Sequence, residues 1–475
     1  MSFVEGTNRD QETMFPPALE DYVSEDNPVR VLDAFIGKLD MVKLEFQYAE
    51  PKETGRRPYD PADMLRLYVY GYLNRVRSSR RLEQETHRNV EVMWLMRNLR
   101  PDHKTIAEFR RANKKAIRRV FREFSLLCRN LGLFGKELVA IDGSKFRANN
   151  SKDRNYDRKK LGKIMSRIDQ RIDEYLGALD AADKREAGSG GANAAGLREK
   201  MEKLEERREE CRILLEELDR TGASQISVSD PDSRSMKVQT GTNVCYNVQT
   251  AVDDKHKLIV TYDVTNEPTD RMQLSSMAIA AKEELEVETL SVMADTGYSS
   301  AKQLEECEQA DIEPFVPRQL GKKTEGMFSK TEFRFDRDND TYVCPAGQVL
   351  PYRFEQTEKG RNKRYYYKTE ACAGCALKTR CTTSPYRRIT RVEGEEALER
   401  SDRRLRHRPD MMRKRKAAAE HPFGTLKRTM DHGYFLTRGL ESTLTEFSLS
   451  ALAYNFKRVL TIVGAGALID ALSPG

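Results

Sequence analysis

Residues 135–146, GKELVAIDGSKF, set a short run of apolar, strand-favouring residues between Gly135 and Gly143 and bring it to a carboxylate, Asp142. A run of this length bounded by glycine reads as a buried strand with Asp142 at its exit. A second run closes in the same way: TLSVMAD, residues 289–295, is apolar up to Asp295 and is followed by Thr-Gly-Tyr. Further strand candidates are QISVS (225–229), NVCYNVQTAV (243–252) and KLIVTYDV (257–264), while 271–285 is helical in pattern. Strands followed by a helix–strand unit imply an α/β protein, a mixed sheet with flanking helices.

Upstream of this core the pattern is helical. Residues 1–16 carry no periodic signal and read as a disordered tail. From 17 to 130, apolar residues recur at helical spacing in ADMLRLYVYGYL and again in VEVMWLMRNL. The chain breaks at Arg100-Pro101-Asp102 and restarts with a positive run holding Arg110, Arg111, Lys114, Lys115, Arg118 and Arg119. Short helices ending on a basic one suit a helix-turn-helix-like DNA-binding domain, with a helical bundle of basic surface as the alternative. The core, 131–318, is interrupted at 151–221 by a charged helical hairpin. Leu197, Met201, Leu204, Cys211, Leu215 and Leu218 lie at near-heptad spacing on its second arm, and GSGGANAAG (188–196) forms its tip. A second insertion, 319–400, is rich in cysteine, glycine, arginine and aromatic residues, and 401–475 returns to helix.

Net charge is +7, but its distribution says more. Residues 101–130 carry nine Lys/Arg against three Asp/Glu, and residues 401–430 carry ten against three. Each window is about as positive as the whole chain, so the remainder is slightly acidic. Clustered cations of this kind are the footprint of a polyanion such as DNA. The hairpin at 151–220 balances seventeen cations with seventeen anions, which suits a structural or partner-contacting coiled coil. No apolar stretch is long enough to span a membrane; 459–472 is too short and contains Asp470. The beginning of the chain lacks both a basic leader and an apolar segment, so a cytoplasmic location is expected.

Cutting or joining DNA by in-line phosphoryl transfer calls for two divalent ions held by hard oxygen ligands at one edge of a rigid sheet. The chain offers Asp142 in AIDGSKF, Asp295 in VMADTGYSS and Glu420 on the basic segment KRKAAAEHPFGTLKR. With these acids in order, the chain resembles the DDE transposases of bacterial insertion sequences, in the branch whose third acid lies in a Y-x2-R-x3-E-x6-K motif. Asp142-Gly143 matches the first motif, Asp295-Thr296-Gly297-Tyr298 the second, and Glu420 with Lys427 the third. Upstream of Glu420 the pattern departs: Lys416 stands where the motif has Arg, and Arg413 where it has Tyr. The helical N-terminal part, together with SVSDPDSRSMK, YNVQTAVD and EFSLSALAYNFKRVL, also resembles blocks of that family.

The resemblance implies an RNase H-like core binding two Mg²⁺ or Mn²⁺ ions. Asp142 would bridge the ions, and Asp295 and Glu420 would each complete one. It implies cleavage at terminal inverted repeats, followed by attack of the freed 3′-hydroxyl on target DNA. A dimer or higher oligomer would hold two ends together on the bacterial nucleoid. Seven residues separate Glu420 from Lys427, about two helical turns, so both are expected on one face with Lys427 at a DNA phosphate. Lys416, Arg413, Arg110, Arg111, Lys114 and Lys115 are the other expected DNA contacts. Asp230 and Asp232 read as a self-capping turn, and Asp253 as part of a hairpin turn; with Asp270 they are rival acids. His421 reads as structural. A nuclease that does not join strands would use the same acids, and a catalytically silent DNA-binding regulator would keep only the basic surfaces.

Cys344, Cys372, Cys375 and Cys381 form a C-x27-C-x2-C-x5-C series, four soft ligands sufficient for a structural zinc ion. Zinc would fix a loop-rich insertion with little core of its own, with unmetallated thiols in a small subdomain as the alternative. Arg361, Lys363, Arg364, Arg387, Arg388 and Arg391 lie around them.

Overall fold

A computed structural model describes residues 18–50, 57–185, 191–319, 326–358 and 361–473, with side chains described except at 181–195 and 361. The expected tail and part of the hairpin tip lie outside the described residues. After a 3-10 turn at Leu19–Tyr22 come α1 (Pro28–Gly37), α2 (Pro61–Leu73), α3 (Ser79–Arg88), α4 (Val90–Leu95), α5 (His103–Ala112) and α6 (Lys114–Asn130). Asn27, Asp60 and Asp102 start α1, α2 and α5 by accepting backbone N–H groups that a helix leaves unpaired, and proline opens the first two. Asn113 separates α5 from α6 and accepts the Gln47 N–H at 2.6 Å.

The sheet follows: β1 (Leu138–Arg147), β2 (Asn155–Tyr156), α7 (Arg158–Arg185), α8 (Gly191–Thr221), β3 (Ile226–Ser227), β4 (Arg234–Val238), β5 (Gly241–Asp253), β6 (Ile259–Thr265), α9 (Leu274–Leu285), β7 (Leu290–Met293), α10 (Ala301–Gln309) and β8 (Ile312–Phe315). β1 is central. It pairs antiparallel with β5 over its whole length and parallel with β7 over Leu138–Ala140 only, and β8 continues the parallel half. β4 and β6 share the far edge of β5. β2 and β3 pair only with each other, closing the base of the α7–α8 hairpin.

Strand β1 does not end at Asp142, as its apolar run suggested, but continues five residues to Arg147. Gly143 and Ser144 have little strand propensity; the ladder to β5 carries β1 through them. QISVS shrinks to the two residues of β3, and β4 and β8 are strands the alternation did not mark.

The chain then builds a second antiparallel sheet in the order β13-β12-β11-β10-β9. Its strands are β9 (Arg334–Asp336), β10 (Thr341–Val343), β11 (Val349–Glu358), β12 (Arg361–Tyr366) and β13 (Ile389–Val392), with α11 (Thr369–Ala373) and α12 (Lys378–Cys381) between the last two. This insertion was expected to be loop-rich with little core. It has a small core of its own in Phe333, Tyr342, Leu350, Tyr366 and Ile389. Helices α13 (Glu395–His407), α14 (Met411–Gly424), α15 (Leu440–Val463) and α16 (Ala465–Leu472) complete the fold. Among the described residues no single helix is long and apolar enough to cross a membrane.

The N-terminal helices and the sheet share one core. Phe124 packs on Phe456 of α15, and Phe121 meets Tyr262 of β6 edge-on at 4.8 Å. A buried polar joint locks this union. Arg77 donates to the carbonyls of Tyr434 and Asp431 at 2.9 Å each and faces Glu446. Glu446 also accepts the N–H groups of Leu436 and Thr437 and the Thr437 hydroxyl. Glu446→Ala would strand a buried guanidinium and several donors. The expected cost is about 3–5 kcal/mol in urea unfolding. A loss under about 1 kcal/mol, the worth of an exposed bridge, would show that the joint is not structural.

Candidate active site

β7 leaves the edge of β1 after Met293, and the next neighbour on that edge is the segment 433–435. There Arg147 N–H donates to Gly433 O, and Phe435 N–H donates to Arg147 O. Between these partners β1 has an open edge, and Asp142 and Ser144 lie along it. The edge sits where two parallel strands end and diverge, the usual place for a site in an α/β sheet.

Asp142 and Asp295 meet through one cation. Arg415 of α14 donates from Nη2 to Asp142 Oδ1 at 2.7 Å and lies 3.7 Å from Asp295 Oδ2. The Asp142 side chain is 18% exposed and that of Asp295 47%. Burial pushes the Asp142 carboxyl up to about 6; Arg415 opposes this, and Asp295 and Asp270 add to it. Asp295 is shaped by its own turn, with Oδ1 accepting Gly297 N–H at 2.7 Å. Tyr298, fully buried at the end of that turn, donates its hydroxyl to Gln249 Oε1.

Gln249 belongs to a polar cluster on the other face of β1. Asp270 Oδ1 accepts from Gln249 Nε2 at 2.8 Å, Asn247 Nδ2 at 2.7 Å and Lys145 Nζ at 3.1 Å. A Cβ at position 143 would collide with Gln249 Nε2 and Asp270 Oδ1, so the glycine after Asp142 makes room for this cluster. Sequence reading missed Gln249, Asn247 and Lys145. Asp270 entered it only as a rival acid, and here it braces the two aspartate segments.

Glu420 is not brought to the pair. Arg415, Ala418 and Ala419 turn toward Asp142, Ala140 and Met293, whereas Glu420 is exposed and makes no ion pair or hydrogen bond among the described residues. Five residues past Arg415 it lies about 140° further round the helix and about 7.5 Å along it. The shared face expected for Glu420 and Lys427 is also absent. After Pro422 the helix widens into a π turn at Thr425–Thr429, which breaks the 100° step on which that expectation rested. Lys427 is turned inward. It donates to Ser144 Oγ and Lys145 O at 2.7 Å each and sits 4.7 Å from the Phe146 ring centroid, and burial pushes it down to about 8. His421 bonds Tyr454 at 2.8 Å, a packing role.

Among the rival acids, Asp230 accepts from Tyr246 and from Gly439 N–H, and Asp232 accepts Leu440 N–H, so both tie down the start of α15. Asp253 accepts the N–H groups of Gly135, Lys255 and His256 in a turn. Among the described residues no three His, Cys, Asp or Glu side chains are drawn together closely enough to hold a metal ion.

The expected basic residues divide. Lys416, Arg413 and Lys115 are exposed, as is Arg111, which pairs with Glu108. Lys114 is paired with Glu441. Arg110 is a correction: its guanidinium lies 5.7 Å from the Tyr68 ring and one of its terminal nitrogens is buried, so it serves the core. A further cationic group, Lys115, Arg118, Arg119 and Arg122, lines a hollow of about 360 Å³ between α6 and the edge strand β6, together with Asp263 and Glu284. Arg118 faces Glu441, and Arg119 is paired with Glu45.

Residues 17–112 match the family described as Transposase domain (DUF772), and residues 343–460 match the family described as Transposase DDE domain. The second match contains Glu420 and the four clustered cysteines. No curated protein and no solved structure matches the chain.

Arg415→Met tests the electrostatics of the pair. It removes the cation that holds the Asp142 carboxyl down, so that carboxyl rises beyond about 6. A carboxyl raised in the folded state favours folding only while protonated. The variant's loss of thermal stability relative to wild type should therefore be small at pH 5 and grow as pH rises through 6 to 8. A deficit that stays constant across that range would refute the coupling.

Proposed function

Two transposase matches in one chain make it an insertion-sequence DDE transposase, and from that premise we propose that it cleaves and rejoins DNA at element ends through Asp142, Asp295 and Glu420. The observation that carries this reading is the meeting of Asp142 and Asp295 on one guanidinium at the open edge of β1. The strand order β6-β5-β1-β7-β8, with β1 antiparallel to β5 and parallel to β7, supports an RNase H-like core.

The donor set fits Mg²⁺ or Mn²⁺. Asp142 is desolvated, faces a second carboxylate, and is compensated by a cation lying between the two. A divalent ion there would supply Lewis-acid activation of water and stabilisation of the leaving oxygen. Asp142 and Asp295 would hold it, and Arg415 would give up its place to it. Glu420, exposed on the same helix five residues past Arg415, would have to be brought to the set by a change in how α14 sits on the sheet. Lys427 fixes Ser144 and the backbone of β1 beside the acids, so its role is to hold the strand as much as to meet a phosphate.

The hollow lined by Lys115, Arg118, Arg119 and Arg122 supports binding of a DNA backbone, and Arg413 and Lys416 are further exposed cations on α14. We assign DNA binding to 17–130, chemistry to 131–318 together with 401–475, and the hairpin 151–221 to contact between subunits. Two element ends must be held at once, so the working form on the nucleoid, in the bacterial cytoplasm, is a dimer or larger.

With labelled terminal-repeat DNA and Mg²⁺, wild type is expected to nick and then to give joined product. Asp142→Asn, Asp295→Asn and Glu420→Gln should each lose nicking while still binding DNA. Undiminished nicking by Asp142→Asn would end the assignment; undiminished nicking by Glu420→Gln would remove the third acid alone. Nicking without joined product would mark a nuclease. In a separate binding titration, neutralising Lys115, Arg118 and Arg122 should lower the salt slope by about 0.9 for each phosphate that no longer meets a cation. An unchanged slope would move the DNA surface elsewhere.

A further inference from the structure

We propose that Cys344, Cys372, Cys375 and Cys381 hold one zinc ion that pins α11 and α12 to the turn between β10 and β11. Two stretches of chain, one at Cys344 and one at 372–381, bring these thiols to a single small cavity. Cys344 comes from the β10–β11 turn, Cys372 from α11, Cys375 from the link to α12, and Cys381 from the last residue of α12. The cavity measures about 30 Å³, room for one small ion and little more, and Phe328, Phe333 and Leu350 are part of its lining. All four cysteines are half-buried and unpaired, whereas Cys128, Cys211, Cys245 and Cys307 are each buried elsewhere.

The charges around the cavity point the same way. Four thiolates around a divalent ion leave two negative charges, and Lys378 and Arg387 line the same cavity. Arg387 is anchored by Nη1 on the Cys381 carbonyl at 3.2 Å, yet its Nε is buried without an acceptor. A buried donor without a partner is costly, and a thiolate sulfur in the cavity would accept it.

Zinc suits this set because it takes four sulfur ligands tetrahedrally at about 2.3 Å without redox change. The thiols ring the cavity and no three yet stand at ligand spacing, so binding closes them onto its centre. Their protons pass to solvent as the metal–sulfur bonds form. The gain is structural. α11 and α12 have five and four residues and bury no side chain fully, so they have little else to hold them.

The test uses the full-length chain and is independent of DNA cleavage. Protein purified from zinc-supplemented growth should carry one zinc per chain, released as a mercurial titrates four thiols. Exchange with cobalt should give the intense visible bands of a tetrahedral site and a thiolate-to-cobalt charge-transfer band. Cys372→Ser and Cys375→Ser should each bring metal content to background and open 343–392 to trypsin. Wild type that holds no stoichiometric zinc after reconstitution would overturn the proposal. So would a mass deficit on non-reducing analysis that reveals disulfides among these cysteines. If the variants prove insoluble, wild-type stoichiometry and the cobalt spectrum decide.

Discussion

The burial of Arg77 against Glu446 ties the N-terminal helices, the loop before α15 and α15 itself into one unit. A charge pair taken out of water is tolerated only when every remaining donor and acceptor is met. Here the loop before α15 meets them, through two carbonyls to Arg77 and three donors to Glu446. The loop is therefore fixed to both the N-terminal helices and α15. Because its residues 433–435 also pair with the end of β1, the joint sets where the open edge of β1 stops. The position of the acidic pair is thus decided partly by a residue near the start of the chain, in the segment matched to the N-terminal transposase domain.

On that edge the transposase brings like charges together, and the surroundings offset them from two sides. From above, Arg415 lies between Asp142 and Asp295. From below, Asp270 gathers Lys145, Asn247 and Gln249, and Gln249 holds the tyrosine that ends the Asp295 turn. Gly143 lets the lower cluster approach the backbone next to Asp142. The D-G and A-D-x-G-Y motifs thus acquire a physical reading: each carries an acid and, beside it, the residue that lets the Asp270 cluster grip its segment.

Much of this was legible in the sequence, because burial writes itself into periodicity. The apolar runs before Asp142 and Asp295 marked two neighbouring strands, and the alternation in 243–252 and 257–264 marked β5 and β6. What escaped depends on partners distant in sequence. β1 runs on through Gly143 because β5 pairs with it, and the cysteine-bearing sheet is built of strands as short as three residues, below the length at which alternation speaks. Arg110 looked like a surface cation because charge counting cannot see the Tyr68 ring beneath it. Glu420 and Lys427 looked coaxial because an ideal helix was assumed past a proline.

That last departure bears on how the third acid works. α14 carries two incompatible demands in one short span. Small residues, Ala418 and Ala419, lie flat on Ala140 and Met293, and on the proposed function the carboxylate in the next position would have to serve acids on that same face. An unbroken α-helix satisfies the first and turns the second outward. A π turn adds a residue to the winding and is frequent at functional sites, and here it follows Glu420, at Thr425–Thr429. The two acids share one guanidinium, a single positive charge for two carboxylates, and Glu420 stands exposed away from them. A divalent ion held by Asp142 and Asp295 would supply that charge in place of the guanidinium and remove one contact that fixes α14 to β1. On the proposed function, the seating of α14 and the charge at the acidic pair would then be coupled, and Glu420 would be the ligand that this coupling admits.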